Sequence, residues 1–279
     1  MNSVRSALSD AVPRLSTDNP HLDAEVLLAH TLNVPRSWLR AHPEAPIAPD
    51  DHASYDKSIE QVSSGYPLPY VVGHWEFYGL DFQISECALI PRPETELLVE
   101  HALDPKISDR CKISIADVGT GNGIIAITLA IKLPQAEITA TDISCSALEL
   151  ARQNAIKHGM ADRITFVHRD LLAELGMFEM ICANPPYIAE DELETLQVAR
   201  HEPRIALDGG ADGLHIIERL LANAGDHLLP GGVLLMEIGA DQGDSSRAIA
   251  EAAFPKGTVQ VMKDLACQDR LLIVRNESR

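Results

Sequence analysis

Ile113-Ser114-Ile115-Ala116-Asp117-Val118-Gly119-Thr120-Gly121-Asn122-Gly123 joins a strand-length apolar run to a loop with a glycine at every second position. The apolar stretch that follows, Ile124–Leu133, has the length of a helix rather than a strand. Gly119, Gly121 and Gly123 let the backbone turn tightly and approach a ligand with no Cβ in the way. The free N–H groups at the start of the helix then face that ligand. Gly-x-Gly-x-Gly alone is weak evidence, but its place between a strand and a helix gives it weight. The spacing is not the Gly-x-Gly-x-x-Gly of dinucleotide sites, and no Lys-Ser or Lys-Thr follows as in a phosphate-binding loop. A ligand carrying a carboxylate and a ribose fits better than a pyrophosphate.

The same rhythm continues on the C-terminal side. Strand candidates are Ile113–Val118, Glu137–Asp142, Ile164–Val167, Glu179–Ala183, Val233–Ile238, Val259–Met262 and Leu271–Arg275. Helical stretches such as Ile124–Leu133, Ala147–His158 and Leu214–Leu229 separate most of the first five, which predicts parallel strands with right-handed crossovers. The last two strands have no room for a helix between them and should pair antiparallel. The expected fold class is α/β, a Rossmann-like, seven-stranded, mostly parallel sheet with one reversed strand.

On the N-terminal side the pattern changes. Residues 1 to about 65 hold no glycine before Gly65 and no strand-like alternation, while Leu22, Val26, Leu27 and Leu32 recur near helical spacing. Pro35, Pro43, Pro46 and Pro49 then punctuate short segments, so a small helical bundle is expected. Trp75-Glu76-Phe77-Tyr78-Gly79-Leu80-Asp81-Phe82 places a glycine between β-formers and reads as a hairpin. The expected division is a helical domain over 1–72, a hairpin linker over 73–88 and a catalytic domain over 89–279.

The chain has 279 residues, 46% of them hydrophobic, with 23 Lys and Arg against 41 Asp and Glu and a net charge of −18. So acidic a surface repels a phosphate backbone and argues against a stable nucleic-acid partner. Cys87, Cys111, Cys145, Cys182 and Cys267 are scattered and never form Cys-x-x-Cys, which disfavours a disulfide framework or zinc site. His74, His168 and His201 show no metal-ligand spacing, and no Gly-x-Ser-x-Gly elbow is present. The first residues lack the apolar run of a signal peptide, and no apolar stretch reaches the ~20 residues needed to span a bilayer. A soluble, cytoplasmic enzyme without a metal is expected.

The chemistry concentrates at the strand ends. Asp142 ends the second strand candidate and is placed to accept from both ribose hydroxyls; Ser144 is available to cap the next helix in its stead. Asp170 and Leu171 follow the third, where a carboxylate could accept from an adenine amino group and an apolar side chain could pack on its ring. At the fourth stands Asn184-Pro185-Pro186-Tyr187, whose chance occurrence in a chain this long is roughly one in a thousand. The prolines stiffen the bend and hold Asn184 extended. The Asn184 side-chain oxygen and the Pro185 carbonyl can both accept from a planar NH2 group, against which Tyr187 can stack.

Together, the glycine loop, the acidic strand end and Asn-Pro-Pro-Tyr resemble the S-adenosylmethionine-dependent methyltransferases that modify planar nitrogens. The flanks narrow the resemblance: Leu89-Ile90-Pro91-Arg92-Pro93-Glu94-Thr95-Glu96, Glu202-Pro203 with Ala206-Leu207, Gly209-Gly210-x-Asp212-Gly213-Leu214 and Glu237-Ile238-Gly239. These look like the release-factor glutamine methyltransferases (HemK/PrmC type), over about Tyr70 to Arg275. Three positions depart from the family pattern: Asn122 in the glycine loop, Leu171 in place of an aromatic residue, and Cys267 near a usual glycine.

The resemblance implies direct in-line transfer of a methyl group from S-adenosyl-L-methionine to the glutamine N5 in the Gly-Gly-Gln loop of class I peptide chain release factors, leaving S-adenosyl-L-homocysteine and regulating translation termination. Gly119, Thr120, Gly121, Asn122, Gly123, Asp142, Asp170, Leu171 and Asn184 are expected at the cofactor, and Asn184, Pro185, Pro186 and Tyr187 at the substrate amide. Asn184, Pro185 and Tyr187 carry the catalysis in this reading, with no general base named. Competing readings are a ribosomal-protein glutamine, an adenine N6 or guanine N2 amine, or a non-catalytic module that binds a protein loop.

Overall fold

The structure is a computed structural model that describes residues 3–108, 112–196 and 198–277; Cys111 lies outside them. The chain divides into two compact units, Met1–His74 and Trp75–Arg279.

The first unit is helical: α1 (Val4–Ala11), α2 (Pro20–Leu32), α3 (Arg36–Ala41), α4 (Pro49–Ser63) and α5 (Leu68–Val72). Local signals set their ends. Ser3 and Ser6 form a capping box on α1, proline opens α2 and α4, and Asn33 closes α2 in the left-handed conformation with φ of 51°. In α2 the buried residues are Ala24, Leu27, Leu28 and Ala29, whereas Leu22 is 40% exposed. That differs from the spacing seen in sequence because α2 packs against α1, α3, α4 and α5, so small residues are buried on several sides. Tyr55 of α4 is buried and donates its hydroxyl to the Ala24 carbonyl at 3.2 Å.

The small sheet of β1 (His74–Phe77) and β2 (Leu80–Gln83) falls in the second unit but for His74, the last residue of the first. Tyr78 and Gly79 between them have φ of 54° and 75°, the paired left-handed geometry of a tight hairpin turn. After α6 (Glu96–Ala102) and α7 (Pro105–Ser108) the alternation expected from sequence appears. It runs β3 (Ile113–Val118), α8 (Ile124–Lys132), β4 (Ala136–Asp142), α9 (Cys145–Lys157), β5 (Ile164–His168) and β6 (Phe178–Ala183). It continues with α10 (Glu190–Leu193), α11 (His215–His227), β7 (Leu228–Glu237), α12 (Gly243–Ala253), β8 (Thr258–Lys263) and β9 (Asp269–Arg275).

The seven strands are ordered β5-β4-β3-β6-β7-β9-β8, all parallel except β9, which is antiparallel to both neighbours. Strand order reverses between β3 and β6, the point at which open α/β sheets bind ligands. Val118 and Ala183 are register partners there, so Gly119 and Asn184 leave the sheet side by side. Strands β3, β6 and β7 are buried almost throughout, as expected of a sheet covered on both faces. Helix α12 is not among the helical stretches named from sequence; its fully buried residues, Gly243, Ser246 and Ala250, are small, with Ile249 and Ala253 packed beside them. Among the described residues, no helix is long and apolar enough to cross a membrane.

Asn154 of α9 is fully buried and ties three backbone groups together. Its Oδ1 accepts from the Gln83 N–H at 2.7 Å, and its Nδ2 donates to the carbonyls of Gln83 at 3.1 Å and Asn122 at 2.9 Å. Asn154→Leu strands all three, so urea unfolding should show a loss of about 2–4 kcal/mol. A variant as stable as the parent would mean water takes over those bonds.

Candidate active site

Two adjoining cavities lie over the ends of β3 and β6. The larger, about 190 Å³, is lined by Gly119, Thr120, Gly121, Asn122, Asp142, Asp170, Leu171, Asn184 and Pro186, among others. The smaller, about 60 Å³, is lined by Asn184, Pro185, Pro186, Tyr187 and Arg92. Asn184, Pro186 and Arg92 belong to both walls. Gly123 is the exception among the residues expected at the cofactor. It is not among the lining residues; it caps α8 with φ of 85°, and a Cβ there would sit 2.9 Å from Ile127 and 3.2 Å from Ala151. A side chain there would crowd α8 against α9. Gly119 and Gly121, with φ of 71° and 57°, face open space or nearly so.

Asp117, the last acid of β3, is fully buried. Its Oδ2 accepts from Thr120 Oγ1 at 2.6 Å and the Ala126 N–H at 3.0 Å, while its Oδ1 has no partner among the described residues. Burial raises its pKa to about 6. Asp142 is spoken for on both oxygens: the Gly121 N–H donates to Oδ2 and the Ser144 N–H to Oδ1, each at 2.8 Å. Ser144 caps α9, leaving Asp142 turned toward the loop. Burial raises the Asp142 pKa against the pull of those N–H groups.

Asp170 accepts from Arg219 at 2.6 Å through Oδ2, so only one carboxylate oxygen stays available. Leu171 has φ of 53°, strained for a residue with a side chain, and the Thr141 hydroxyl holds its carbonyl at 3.1 Å. Asn122 donates to the Leu89 carbonyl at 3.0 Å, giving that departure from the family pattern a local job. Cys267 stands at φ of 61° in the β8–β9 turn, where glycine would be unstrained.

The segment over residues 89–96 joins the two cavities. Arg92 donates to Glu202 Oε1 at 2.5 Å, and the Ile90 N–H donates to Glu202 Oε2 at 3.0 Å. Thr95 donates to Glu237 Oε2 at 2.7 Å and accepts from Asn184 Nδ2 at 3.1 Å. The Tyr187 hydroxyl donates to Glu237 Oε1 at 3.3 Å. Glu237 is only 2% exposed, and burial lifts its pKa to about 7.

Beyond the bend, Gln242 Nε2 donates to the Tyr187 carbonyl at 2.8 Å and the Gly213 carbonyl at 3.2 Å. The Ile188 N–H donates to the Leu207 carbonyl at 3.0 Å, and the Gly209 N–H to the Ile188 carbonyl at 2.9 Å. Thr95 and Gln242 were not singled out from sequence. Their partners lie 89 and 55 positions away, beyond the reach of any local pattern.

Residues 93–201 match the family model "Methyltransferase small domain", and residues 4–73 match "PrmC N-terminal domain". A release factor glutamine methyltransferase of Moorella thermoacetica is 43% identical over 278 residues, covering 97% of this chain and 98% of the relative. The chain belongs to the release factor glutamine methyltransferase family. A second member, from Koribacter versatilis, is 41% identical and covers 85% of this chain and 86% of its own. A solved methyltransferase from Pyrococcus furiosus shares 19% identity at a TM-score of 0.54, covering 72% of this chain and 90% of its own, and supports the fold.

As a member of this family the protein is an S-adenosylmethionine-dependent methyltransferase, and the larger cavity suits that cofactor's chemistry. An open glycine cradle and an acid at the β4 end line it, while Asp117, outside the lining, keeps one buried carboxylate oxygen with no partner among the described residues. The 209–214 segment of the methyltransferase is explained by packing. A Cβ on Gly213 would fall 2.4 Å from the Tyr187 carbonyl and 2.7 Å from Gln242 Nε2. Gly213→Ala should therefore cost about 1–3 kcal/mol in thermal or urea unfolding and shift the bend. Unchanged stability and turnover would show that the 209–214 segment does not support it.

Proposed function

We propose that this methyltransferase modifies the side-chain amide nitrogen (N5) of the glutamine in the Gly-Gly-Gln loop of class I peptide chain release factors. The observation that carries the reading is the orientation of Asn184: its Nδ2 is committed to Thr95, which leaves its Oδ1 as a free acceptor on the wall shared by both cavities. The names of the relatives and the match over most of the chain support the substrate.

In this reading the larger cavity holds S-adenosyl-L-methionine. Gly119, Thr120 and Gly121 would hold its amino-acid portion. Asp142 accepts from the ribose hydroxyls, using lone pairs its two N–H partners leave free. Ile143 and Leu171 present apolar surface to the adenine, with the remaining Asp170 oxygen at the rim. When bound, the cofactor supplies a methyl group already activated on a sulfonium sulfur, and S-adenosyl-L-homocysteine is what remains.

The chain's own work is orientation. An amide nitrogen is a poor nucleophile because its lone pair is delocalised into the carbonyl. Asn184 Oδ1 and the Pro185 carbonyl each accept one of its hydrogens, which fixes the NH2 plane and draws charge toward nitrogen as the bond to carbon forms and the sulfur–carbon bond breaks; one of those protons then leaves the nitrogen to solvent. The prolines and the Gln242 clamp keep both acceptors still, so little reorganisation is left to the transition state. Tyr187, held to Glu237, closes the small cavity against water and packs on the amide.

Residues 1–72 are proposed as the substrate-recognition domain and 73–88 as the connection to the catalytic part. The match to the family's N-terminal domain supports the first assignment. A cytoplasmic location goes with a translation-factor substrate, and a net charge of −18 suits a protein loop better than a nucleic-acid base.

Mass-spectrometric mapping after incubation with a purified class I release factor tests the proposal. A single methylated glutamine in the Gly-Gly-Gln loop is expected. In Asn184→Ala, kcat should fall by about 10²-fold or more. Calorimetric binding of S-adenosyl-L-homocysteine should stay close to that of the parent. Equal loss of binding and turnover would mean that Asn184 serves cofactor binding or the fold and not the substrate amide.

A further inference from the structure

We infer that Glu237 is a positioning residue: acting through the Thr95 hydroxyl, it decides which end of the Asn184 side-chain amide faces the substrate. This rests on the proposed role of Asn184 as an acceptor for the glutamine NH2 group.

The inference follows from counting protons. A threonine hydroxyl has one hydrogen to give. Thr95 is 1% exposed and sits between Glu237 Oε2 at 2.7 Å and the Asn184 amide at 3.1 Å. An ionised carboxylate can only accept, so the Thr95 proton goes to Glu237, and the Thr95 oxygen is left to accept. Its remaining neighbour, Asn184, must then present its NH2 end to Thr95 and its oxygen to the cavities. With no charge at Glu237 the chain could run in reverse. A protonated Glu237 would donate to Thr95, the Thr95 proton would turn to Asn184, and the Asn184 amide would flip its NH2 end into the cavity. There it would meet the substrate's own NH2 group, donor against donor. Glu237 is thus a direction setter rather than a catalytic residue, since it touches no reacting atom.

The surroundings of Glu237 fit a group that must be charged to do this. Arg270 on β9 favours its ionised form, as do the hydrogen bonds from Thr95 and Tyr187; burial and the nearby Glu94 oppose it. Arg270 is itself held by Asp264 at 3.2 Å, and Arg92 lies on the Tyr187 side. The balance leaves the Glu237 pKa at about 7, so its charge is lost within the working range of pH. The deprotonated form is the productive one; activity should therefore rise as pH increases through about 7.

The test uses the full-length enzyme, a purified class I release factor and S-adenosyl-L-methionine, comparing Thr95→Ser, Thr95→Val and Glu237→Gln with the parent. Thr95→Ser keeps the hydroxyl and should retain kcat within a few-fold. Thr95→Val, of nearly equal volume, should lower kcat by about 10-fold or more while cofactor KM stays unchanged. Glu237→Gln should lower kcat similarly and abolish the acid limb near pH 7, because no proton can be lost there. Thr95→Val supplies the answer if Glu237→Gln does not fold. Equal activity of Thr95→Ser and Thr95→Val, or an acid limb that survives in Glu237→Gln, overturns the inference while leaving the substrate assignment intact. A parent enzyme inactive on release factors but active on another substrate removes the proposed function, and this inference with it.

Discussion

Strands β3 and β6 are parallel neighbours that end together, with Val118 opposite Ala183. Everything chemical in the molecule depends on that pairing. It sets the glycine loop after β3 beside the asparagine bend after β6, at the point where the strand order reverses. Because both strands are buried on two faces, neither can slide or tilt without breaking the core. The wall shared by the cavities, Asn184 and Pro186, is therefore as fixed as the sheet itself.

A bend of two prolines is stiff but not yet aimed. Its direction comes from outside: Thr95 before it in sequence, Gln242 and the glycines of 209–214 after it. Two buried carboxylates anchor these supports. Glu202, 4% exposed, gathers Arg92 and the Ile90 N–H, and Glu237, 2% exposed, gathers Thr95 and Tyr187. Burying a carboxylate is costly unless its oxygens are satisfied, and here each has a donor on both oxygens. Residues 89–96 are thereby pinned at both ends, across the line where the cavities meet. The lifted pKa of Glu237 is the residue of that desolvation cost.

The elements that were readable in sequence are those whose meaning is local. The glycine loop, the Asn-Pro-Pro-Tyr bend and the short apolar strands each announce themselves within a few residues, and the seven strand candidates match the observed sheet. What stayed hidden depends on distant partners. Thr95 is one small polar residue in an acidic stretch until it meets Glu237, 142 positions away. Gly123 looks like the rest of its loop, yet only the nearness of Ala151 shows that a side chain there would not fit. Asp170 reads as a free acid until Arg219 takes one of its oxygens. Helix α12 fully buries only small residues, and its apolar face is made almost wholly of alanine, with Ile249 the one large residue.

A structure of the enzyme with S-adenosyl-L-homocysteine and a glutamine peptide from a release-factor loop tests the central claim most directly. The account predicts the glutamine amide nitrogen in the small cavity, its two hydrogens on Asn184 Oδ1 and the Pro185 carbonyl, facing the cofactor sulfur across a gap that one methyl group fills. The claim is contradicted if the amide binds elsewhere, or if Asn184 turns its NH2 end toward it.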